Sequence, residues 1–205
     1  MRKARWGFWL GFGVGCMLGV RWVARRGLRI TPPWLAPLLT SRLRHVYRTP
    51  ERLVALLNPQ PSWCVLDLGC GNGAYTLPIA AQGCNVLAVD VQRAMLRALQ
   101  QRLPRALSTS THLCQASAER LPFRHAAFDA VVMIAVLPMT PRPAQVLREV
   151  RRVLKPGGVL VVSEEVFAPE YVPPSKTQRW LESAGFRVTR LERALLQYAV
   201  RSVAP

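Results

Sequence analysis

The chain has 205 residues and a mass of 22.9 kDa, which fits one globular domain with a short additional segment. Half of the residues are hydrophobic and 19% are charged, and this balance excludes an intrinsically disordered chain. The net charge of +17 is typical of nucleic-acid binding. However, ten basic residues and no acidic residue lie within residues 1–50, so most of the charge belongs to one quarter of the chain.

An uncharged apolar run lies close to the N-terminus. Residues 6–20 hold no charge, and basic residues stand on both sides of them. Extended to residue 24, the run is nearly long enough for a helix to cross a bilayer core of about 30 Å. We therefore predict a membrane anchor over residues 1–30, formed by a hydrophobic helix that enters the membrane through residues 6–24.

Glycine recurs at every fourth position of this run, at Gly7, Gly11, Gly15 and Gly19. In lipid, such a stripe lets two helices approach closely, so it predicts self-association of the anchor. A cleaved signal peptide, an organellar transit peptide and a buried glycine-rich helix remain alternative interpretations. The arginines where a cleavage site should stand argue against the signal peptide.

Residues 31–60 are predicted to form an amphipathic helical cap or linker. Two prolines at 32 and 33 end the apolar segment because proline cannot continue a helix. Apolar and basic residues then mix over 34–58, and Thr49-Pro50 divides this stretch into two short helices. They would lie on a membrane surface or cover the domain that follows.

Residues 61–205 are predicted to form one α/β domain. Short β-branched runs alternate with helical stretches, which indicates a parallel sheet with helices on both faces. In such a sheet, ligands bind at the carboxyl ends of the strands, where the strand order reverses. Five strands are predicted at 63–68, 85–90, 111–116, 128–136 and 158–165, four helices at 73–82, 92–103, 142–154 and 174–185, and an antiparallel hairpin at 186–193 and 195–203.

A glycine-rich loop follows the first predicted strand. The sequence Asp67-Leu68-Gly69-Cys70-Gly71-Asn72-Gly73 removes side chains where a ligand would touch the backbone, and the next helix would present its N-terminus there. Asp90 ends the second strand, where a carboxylate can hold ribose hydroxyls. The same pattern fits a dinucleotide site, so a nicotinamide-dependent oxidoreductase is one alternative. Asp67 favours a ligand with an ammonium or sulfonium group, since it would repel a pyrophosphate.

The ordered motifs resemble those of the class I S-adenosylmethionine-dependent methyltransferases, over roughly residues 60–205. Within that family, the chain is most similar to the branch that includes the ubiquinone/menaquinone biosynthesis C-methyltransferases. The resemblance implies methyl transfer (EC 2.1.1.-), S-adenosyl-L-methionine as cofactor and a Rossmann-like, doubly wound, seven-stranded, mostly parallel sheet. The matching segments are the glycine-rich loop, the strand 86–90, the sequence Ala-Glu-Arg-Leu-Pro-Phe at 118–123, the strand 128–132 and the run 148–158 that ends in Lys-Pro-Gly-Gly.

The resemblance also implies which residues bind the cofactor. Asp67 and the backbone of the glycine-rich loop would hold its methionine part, Asp90 would accept both ribose hydroxyls, and Val91 would flank the adenine. The family usually has Asp where this chain has Ser117, and a lost charged acceptor would cost about 1 kcal/mol or more of affinity. The full predicted set is Asp67, Gly69, Cys70, Gly71, Asp90, Val91, Ser117 and Ala118.

The acceptor side of the reaction is less defined by the sequence. Methyl transfer requires mainly a near-attack geometry, and no catalytic dyad is visible, so catalytic residues stay unassigned. The segment after the fourth strand lacks the Asn-Pro-Pro-Tyr type of tetrad, which argues against N-methylation of adenine or glutamine. The loop 167–174 is apolar and suits a lid. Candidate acceptor-side residues are Tyr47, Glu164, Glu165 and Tyr171.

We therefore expect a membrane-associated methyltransferase that acts on a small apolar or amphiphilic molecule, quinone- or lipid-like. The domain should face the cytoplasm, because S-adenosylmethionine is cytosolic. An RNA-binding or RNA-modifying protein is the other alternative, although no RNA-binding module is recognisable and nucleic acid is not the expected partner. Five dispersed cysteines and three scattered histidines predict reduced thiols and no metal site.

Overall fold

The computed structural model describes residues 50–166, 168 and 170–205. The predicted anchor with its glycine stripe, Tyr47, and Phe167 and Pro169 of the predicted lid lie outside the described residues. Among the described helices, none combines the length and the apolar character that a membrane span requires. The predictions for residues 1–30, including membrane insertion and self-association, therefore stay predictions.

The described residues form one seven-stranded sheet with the strand order β3-β2-β1-β4-β5-β7-β6. Strands β1 to β5 pair with one another in parallel, whereas β7 is antiparallel to both β5 and β6. This arrangement confirms the predicted mostly parallel sheet with a C-terminal antiparallel hairpin. The strands are β1 (Cys64–Leu68), β2 (Asn85–Asp90), β3 (Thr111–Gln115), β4 (Phe128–Ile134), β5 (Leu154–Glu165), β6 (Arg187–Arg193) and β7 (Gln197–Val203).

Helices cover both faces of the sheet. The first described helix, Pro50–Leu57, packs Leu53, Leu56 and Leu57 against one face, and the predicted break of the cap at Thr49-Pro50 lies at the edge of the described residues. The helix between β4 and β5 packs its apolar side against the other face. The helices are α1 (Pro50–Leu57), α2 (Thr76–Ala80), α3 (Arg93–Arg102), α4 (Pro143–Val153) and α5 (Pro174–Ser183), with short 3-10 turns at Arg105–Leu107 and Leu137–Met139.

The helix after the glycine-rich loop is shorter than predicted. It spans five residues and begins at Thr76, instead of spanning 73–82. Gly73 has a φ of +85°, which lies outside the helical region, and its N–H donates to the carbonyl of Cys70 at 3.0 Å. The glycine therefore belongs to the turn, and the helix that was expected to present its N-terminus to a ligand is a single short turn.

The last parallel strand begins four residues earlier than predicted. Leu154 pairs with Phe128 and Val159 pairs with Ala130, so residues 155–158 bulge out of the strand. This bulge holds the Lys-Pro-Gly-Gly sequence, whose proline and glycines are typical of a turn. The turn is present, but it lies within β5 and is closed on one side by an ion pair of 2.6 Å between Lys155 Nζ and Asp129 Oδ1.

The strand order reverses between β1 and β4, and this reversal positions the functional site. Connections from β1 and from β4 leave on opposite sides, which opens a crevice at the carboxyl ends of the two strands. Gly69 leaves β1 with its N–H bonded to Val89 of β2, and Ala135 leaves β4 with its N–H bonded to Ser163 of β5. Both residues have a positive φ, so the chain turns sharply at each side of the crevice.

Candidate functional site

A cavity of about 500 Å³ lies in this crevice, at the carboxyl ends of β1 to β4. Its wall is mostly apolar, with carboxylates at a few positions. Such a concave and largely apolar cavity with few polar groups is typical of a small-molecule site. The structure places all eight predicted cofactor-binding residues in its lining: Asp67, Gly69, Cys70, Gly71, Asp90, Val91, Ser117 and Ala118.

Two glycines let the backbone of the loop after β1 approach the cavity. Gly69 has a φ of +78°, and a Cβ built on it would lie 2.3 Å from Cγ2 of Val136. Neither the conformation nor the space accepts a side chain there. Gly71 has a φ of +55° and directs its N–H to Oδ2 of Asp90 at 3.0 Å. The loop is further fixed by Arg102, whose Nη1 donates to the carbonyl of Asn72 at 2.7 Å.

Asp90 is oriented by backbone N–H groups on both of its oxygens. Gly71 donates to Oδ2 at 3.0 Å and Gln92 donates to Oδ1 at 2.8 Å. Burial raises the pKa of this carboxyl group, and the N–H groups of Gln92 and Gly71 oppose that rise. A carboxylate has about four lone-pair sites, so about two remain for further donors. Two hydroxyl groups on adjacent carbons of a ribose match this capacity.

Asp67 is the most buried acid in the cavity, with 2% of its surface exposed. Its Oδ2 accepts a hydrogen bond of 2.6 Å from Oγ1 of Thr76. Burial raises the pKa of Asp67 to about 7, with a smaller contribution from the negative charge of Asp90, whereas the Thr76 hydroxyl lowers it. A cationic group in the cavity would favour the ionised form. Asp67 is therefore suited to an ammonium ligand.

Ser117 and Ala118 line the cavity from the loop after β3. Oγ of Ser117 accepts the N–H of Glu119 at 3.2 Å, so the hydroxyl stabilises its own turn. Val91 forms a neighbouring part of the wall and is 52% exposed. Nε2 of Gln115 donates to the Val91 carbonyl at 3.0 Å and thereby ties this part of the wall to β3.

Sequence reasoning missed several apolar residues of the wall. The loop after the fourth predicted strand was expected at the site by the strand-end rule, but no residue of the run from Ile134 to Met139 was named as a binding residue, although it supplies Ile134, Ala135, Val136 and Met139 to the cavity. Their position in the sequence could have identified them, because they follow β4, the strand that lies beside β1. Further lining residues outside the predicted set include Tyr75, Met95 and Pro141.

Three of the predicted acceptor-side residues lie outside this lining. Side chains alternate along β5, so Glu164 faces the same side as Leu160 and Val162, which pack under α4 and α5. Glu164 is 1% exposed. Glu165 is also buried and points to the opposite face of the sheet. The prediction that these two acids face an acceptor therefore finds no support in the cavity.

Tyr171 packs against another tyrosine instead of the cavity. Its ring lies edge-on to that of Tyr198, with 6.1 Å between the centroids. The hydroxyl of Tyr198 donates to the carbonyl of Val172 at 2.8 Å and shares a hydrogen bond of 2.7 Å with Thr177. Burial raises the pKa of Tyr198 well above its ordinary value. These contacts anchor the segment after β5 to β7 and α5.

The residues around the cavity fit S-adenosylmethionine by their chemistry. Asp90 offers acceptor sites for ribose hydroxyls, Asp67 offers a carboxylate for the ammonium group, and the bare backbone at Gly69 and Gly71 permits close approach.

Within residues 50–166, 168 and 170–205, no cluster of three or more His, Cys, Asp or Glu could hold a metal ion. Cys64, Cys70, Cys84 and Cys114 are all free thiols.

Comparison with known proteins agrees with this chemistry. Residues 66–162 match a family described as a methyltransferase domain. The chain is 36% identical over 110 residues to a demethylmenaquinone methyltransferase of Tropheryma whipplei, which covers 54% of this chain and 45% of the relative. It is 33% identical over 159 residues to a ubiquinone/menaquinone biosynthesis C-methyltransferase of Acidiphilium cryptum, which covers 75% of this chain and 64% of the relative.

A solved structure shows the same fold. The match to an S-adenosylmethionine-dependent methyltransferase from Aquifex aeolicus has a TM-score of 0.79 at 21% identity and covers 86% of this chain and all of that chain. The chain spans less than two thirds of the length of the curated relatives named above. The matched region includes the glycine-rich loop and Asp90. The chain therefore carries a class I S-adenosylmethionine-dependent methyltransferase domain, similar to that of the ubiquinone/menaquinone biosynthesis C-methyltransferases.

Proposed function

We propose that the protein transfers a methyl group from S-adenosylmethionine to a small apolar or amphiphilic acceptor, quinone- or lipid-like. The observation that carries this proposal is the arrangement of Asp67 and Asp90 around one cavity, on either side of the bare backbone of the glycine-rich loop. The two carboxylates match the two polar ends of the cofactor, the amino acid and the ribose. A matching domain and matching relatives support the same activity.

The residues of this chain bind and orient the reactants. S-adenosylmethionine supplies a methyl group that its sulfonium activates for direct displacement. The protein then needs to hold donor and acceptor in line and to exclude water. Asp67 and Asp90 fix the two ends of the cofactor, and the apolar side chains of Ile134, Val136 and Met139 form a dry wall on the β4 side.

The apolar wall also supports the class of acceptor. Within the described lining, the carboxylates are Asp67, Asp90 and Glu119; the first two are committed to the cofactor, and Glu119 is paired with Arg142. A cationic acceptor would therefore find no free carboxylate in this lining, and an anionic acceptor would find no Lys, Arg or His there. An apolar ring or chain would bury its surface against the wall. The names of the two relatives refer to demethylmenaquinone and to ubiquinone and menaquinone, which are apolar quinones.

Membrane association is the second part of this proposal. The apolar run at residues 6–24, in which Arg21 is the single charged residue and which has basic residues on both sides, supports an anchor that holds the domain at the cytoplasmic face, where an apolar acceptor would be concentrated. Deletion of residues 1–27 followed by fractionation tests it. The full chain should require detergent for extraction and the deleted chain should not; a full chain that is already soluble without detergent would contradict the anchor.

Methyl transfer can be followed with S-adenosylmethionine that carries a labelled methyl group. The full chain, the Asp90→Ala variant and a no-protein control are mixed with membrane lipid extract or with total RNA. Label that enters the organic phase only with the unmodified protein supports the proposal. Label that enters RNA instead supports the RNA-modifying alternative. A parallel fluorescence titration with NADH is expected to show no binding, and binding there would favour the oxidoreductase alternative.

A further inference from the structure

One polar face of α4 contacts the loop that forms the adenine side of the cavity. This face consists of Arg142, at the N-terminal cap of α4, followed by Gln145, Glu149 and Arg152. The spacings of three, four and three residues put these side chains in one row along a helix. All four reach the segment 119–123, which follows β3.

The first half of the row holds Glu119. Nη2 of Arg142 lies 2.7 Å from Oε2 of Glu119, and Nε2 of Gln145 donates to the carbonyl of Glu119 at 3.0 Å. The Arg142 side chain of this ion pair is largely exposed, so the pair by itself contributes little to the stability of the loop. The bond from Gln145 fixes the backbone itself, and it is partly buried.

The second half of the row holds Leu121 and Phe123. Oε2 of Glu149 accepts the N–H of Leu121 at 2.9 Å, and Nη2 of Arg152 donates to the carbonyl of Leu121 at 2.9 Å. Nη1 of Arg152 donates to the carbonyl of Phe123 at 2.7 Å. Glu149 and Arg152 also bond to each other at 2.8 and 2.9 Å. Side chains of α4 thus satisfy both backbone groups of Leu121, in the way a neighbouring strand would.

The loop depends on these contacts because no helix connects β3 to β4. Residues 116–127 between the two strands contain no helix or strand, and the turn from Ser117 to Arg120 is closed by one backbone hydrogen bond of 3.1 Å from the N–H of Arg120 to the carbonyl of Ser117. Leu121 is buried and attaches the loop to the core, whereas its N-terminal part, Ser117 to Glu119, lies in the cavity wall. The α4 row joins these two parts by holding the backbone from Glu119 to Phe123.

We propose that Gln145, Glu149 and Arg152, assisted by Arg142, position the Ser117–Glu119 wall and thereby set the preference of the site for adenine. This inference rests on the proposed function, since it assumes that the wall receives the adenine of S-adenosylmethionine. The four side chains are positioning residues, because they act through the backbone of the loop.

The test compares cofactor affinity, base preference and stability in variants of the full chain. Calorimetry gives the Kd of S-adenosylhomocysteine and of its counterpart in which an oxygen replaces the adenine amino group. We expect Glu149→Ala to raise the first Kd about tenfold and to reduce the preference for adenine, and Gln145→Ala to raise that Kd about threefold. Glu149→Gln keeps an acceptor for the N–H of Leu121, so it should restore most of the affinity.

Arg148→Ala is the matched control on the same helix. Arg148 is exposed, and it makes no bond to the segment 119–123, so both Kd values should stay within twofold of the unmodified protein. The inference is overturned if Glu149→Ala lowers the melting temperature but keeps both the Kd and the base preference within twofold. If Glu149→Ala does not fold, the same criterion is applied to Gln145→Ala: the inference is overturned if both its Kd and its base preference stay within twofold. If the unmodified protein does not bind S-adenosylhomocysteine, the proposed function itself fails.

Discussion

The two halves of the sheet present their acidic residues in different ways. In the β1–β3 half, Asp67 and Asp90 line the cavity. In the β5 half, Glu164 and Glu165 stand at a strand end too, but both are buried outside the cavity lining. The difference lies in the residues that follow each strand. After β1 and β2 the chain turns, with glycines that lack side chains and with N–H groups that donate to Asp90, whereas β5 remains paired with β7 up to Glu165.

This comparison shows that a carboxylate at a strand end is a binding residue only if the backbone around it leaves space for a ligand. Gly69 and Gly71 provide that space in the first half, and the N–H groups of Gly71 and Gln92 orient Asp90. In the second half, β5 stays paired with β7 of the antiparallel hairpin up to its last residue, Glu165. The following experiments test the contrast, beginning with the largest expected effect.

Replacement of Asp90 by Ala should have the largest effect on cofactor affinity. Two hydrogen bonds to a charged acceptor, worth about 1.5–3 kcal/mol each, would be lost, so we expect the Kd of S-adenosylhomocysteine to rise at least about a hundredfold. Isothermal titration calorimetry measures this change. If the Kd stays within threefold of that of the unmodified protein, the nucleoside does not bind at Asp90. The contrast between the acids of the two halves would then have no support.

Replacement of Asp67 by Asn should reduce cofactor affinity and stabilise the free protein. Loss of the charge opposite an ammonium group should raise the Kd about thirtyfold at pH 8. The pKa of Asp67 is raised to about 7, so ionising this buried group at pH 8 costs up to about 4 kcal/mol of folding stability. Urea unfolding of the free proteins at pH 8 should therefore show a more stable variant, and an unchanged or lower stability would contradict the burial argument.

The affinity of the unmodified protein should depend on pH near neutrality. Folded Asp67 retains its proton up to a pKa of about 7, and a cationic ligand requires the ionised form. Between pH 6 and pH 8, the affinity should therefore rise by up to about tenfold, with release of one proton on binding at the lower pH. Stability of the free protein changes in the opposite direction, falling as pH rises from about 4 to 7. Asp67→Asn is the control and should show a flat affinity profile.

Replacement of Ser117 by Asp should strengthen binding. An aspartate can accept the N–H of Glu119 as the serine does, and it adds a charged acceptor beside the adenine edge. We expect the Kd of S-adenosylhomocysteine to fall about fivefold. Ser117→Asn, which keeps the turn without the charge, separates the two contributions. Weaker binding by the aspartate variant would mean that the adenine does not lie beside this residue.

Replacement of Glu164 by Gln should leave cofactor affinity within twofold. Glu164 lies under α5 with 1% of its surface exposed, and it does not line the cavity. The melting temperature reports any structural change separately. A Kd that rises more than fivefold without a change in melting temperature would return this residue to the site and weaken the distinction between the two halves.

Much of the fold was predictable because the signals were local. The apolar runs predicted six of the seven strands to within two residues at each end, and Asp67, Gly69 and Asp90 stood in a spacing typical of sites for nucleotide-containing cofactors. The length of α2 was not predictable from helix propensity, since it depends on the positive φ of Gly73, where a Cβ would lie 2.2 Å from Leu99 of α3. That contact joins elements that are distant in the sequence.

The acceptor side was not predictable for a similar reason. The alternation of side chains along β5 predicts that Glu164 and Glu165 lie on opposite faces of the sheet. It does not predict what covers each face, because that depends on the position of α5 and of the hairpin. The α4 row was also hidden, although Glu149 and Arg152 belong to the matching run 148–158, because a spacing of three and four residues predicts only a common face. The loop that this face binds lies more than twenty residues earlier in the chain.

The hairpin has one more consequence, for the behaviour of many copies of the protein. In the described sheet, β6 is the last strand, and its free backbone groups could pair with the sheet of another molecule. Arg187, Arg190 and Arg193 are exposed along this strand, and a register shift near Val188 twists it. Edge-to-edge aggregation would bring these like charges together. Arg190 is paired with Glu192 at 2.8 Å, so the unpaired charge of Arg187 and Arg193 is the part that would oppose such aggregation.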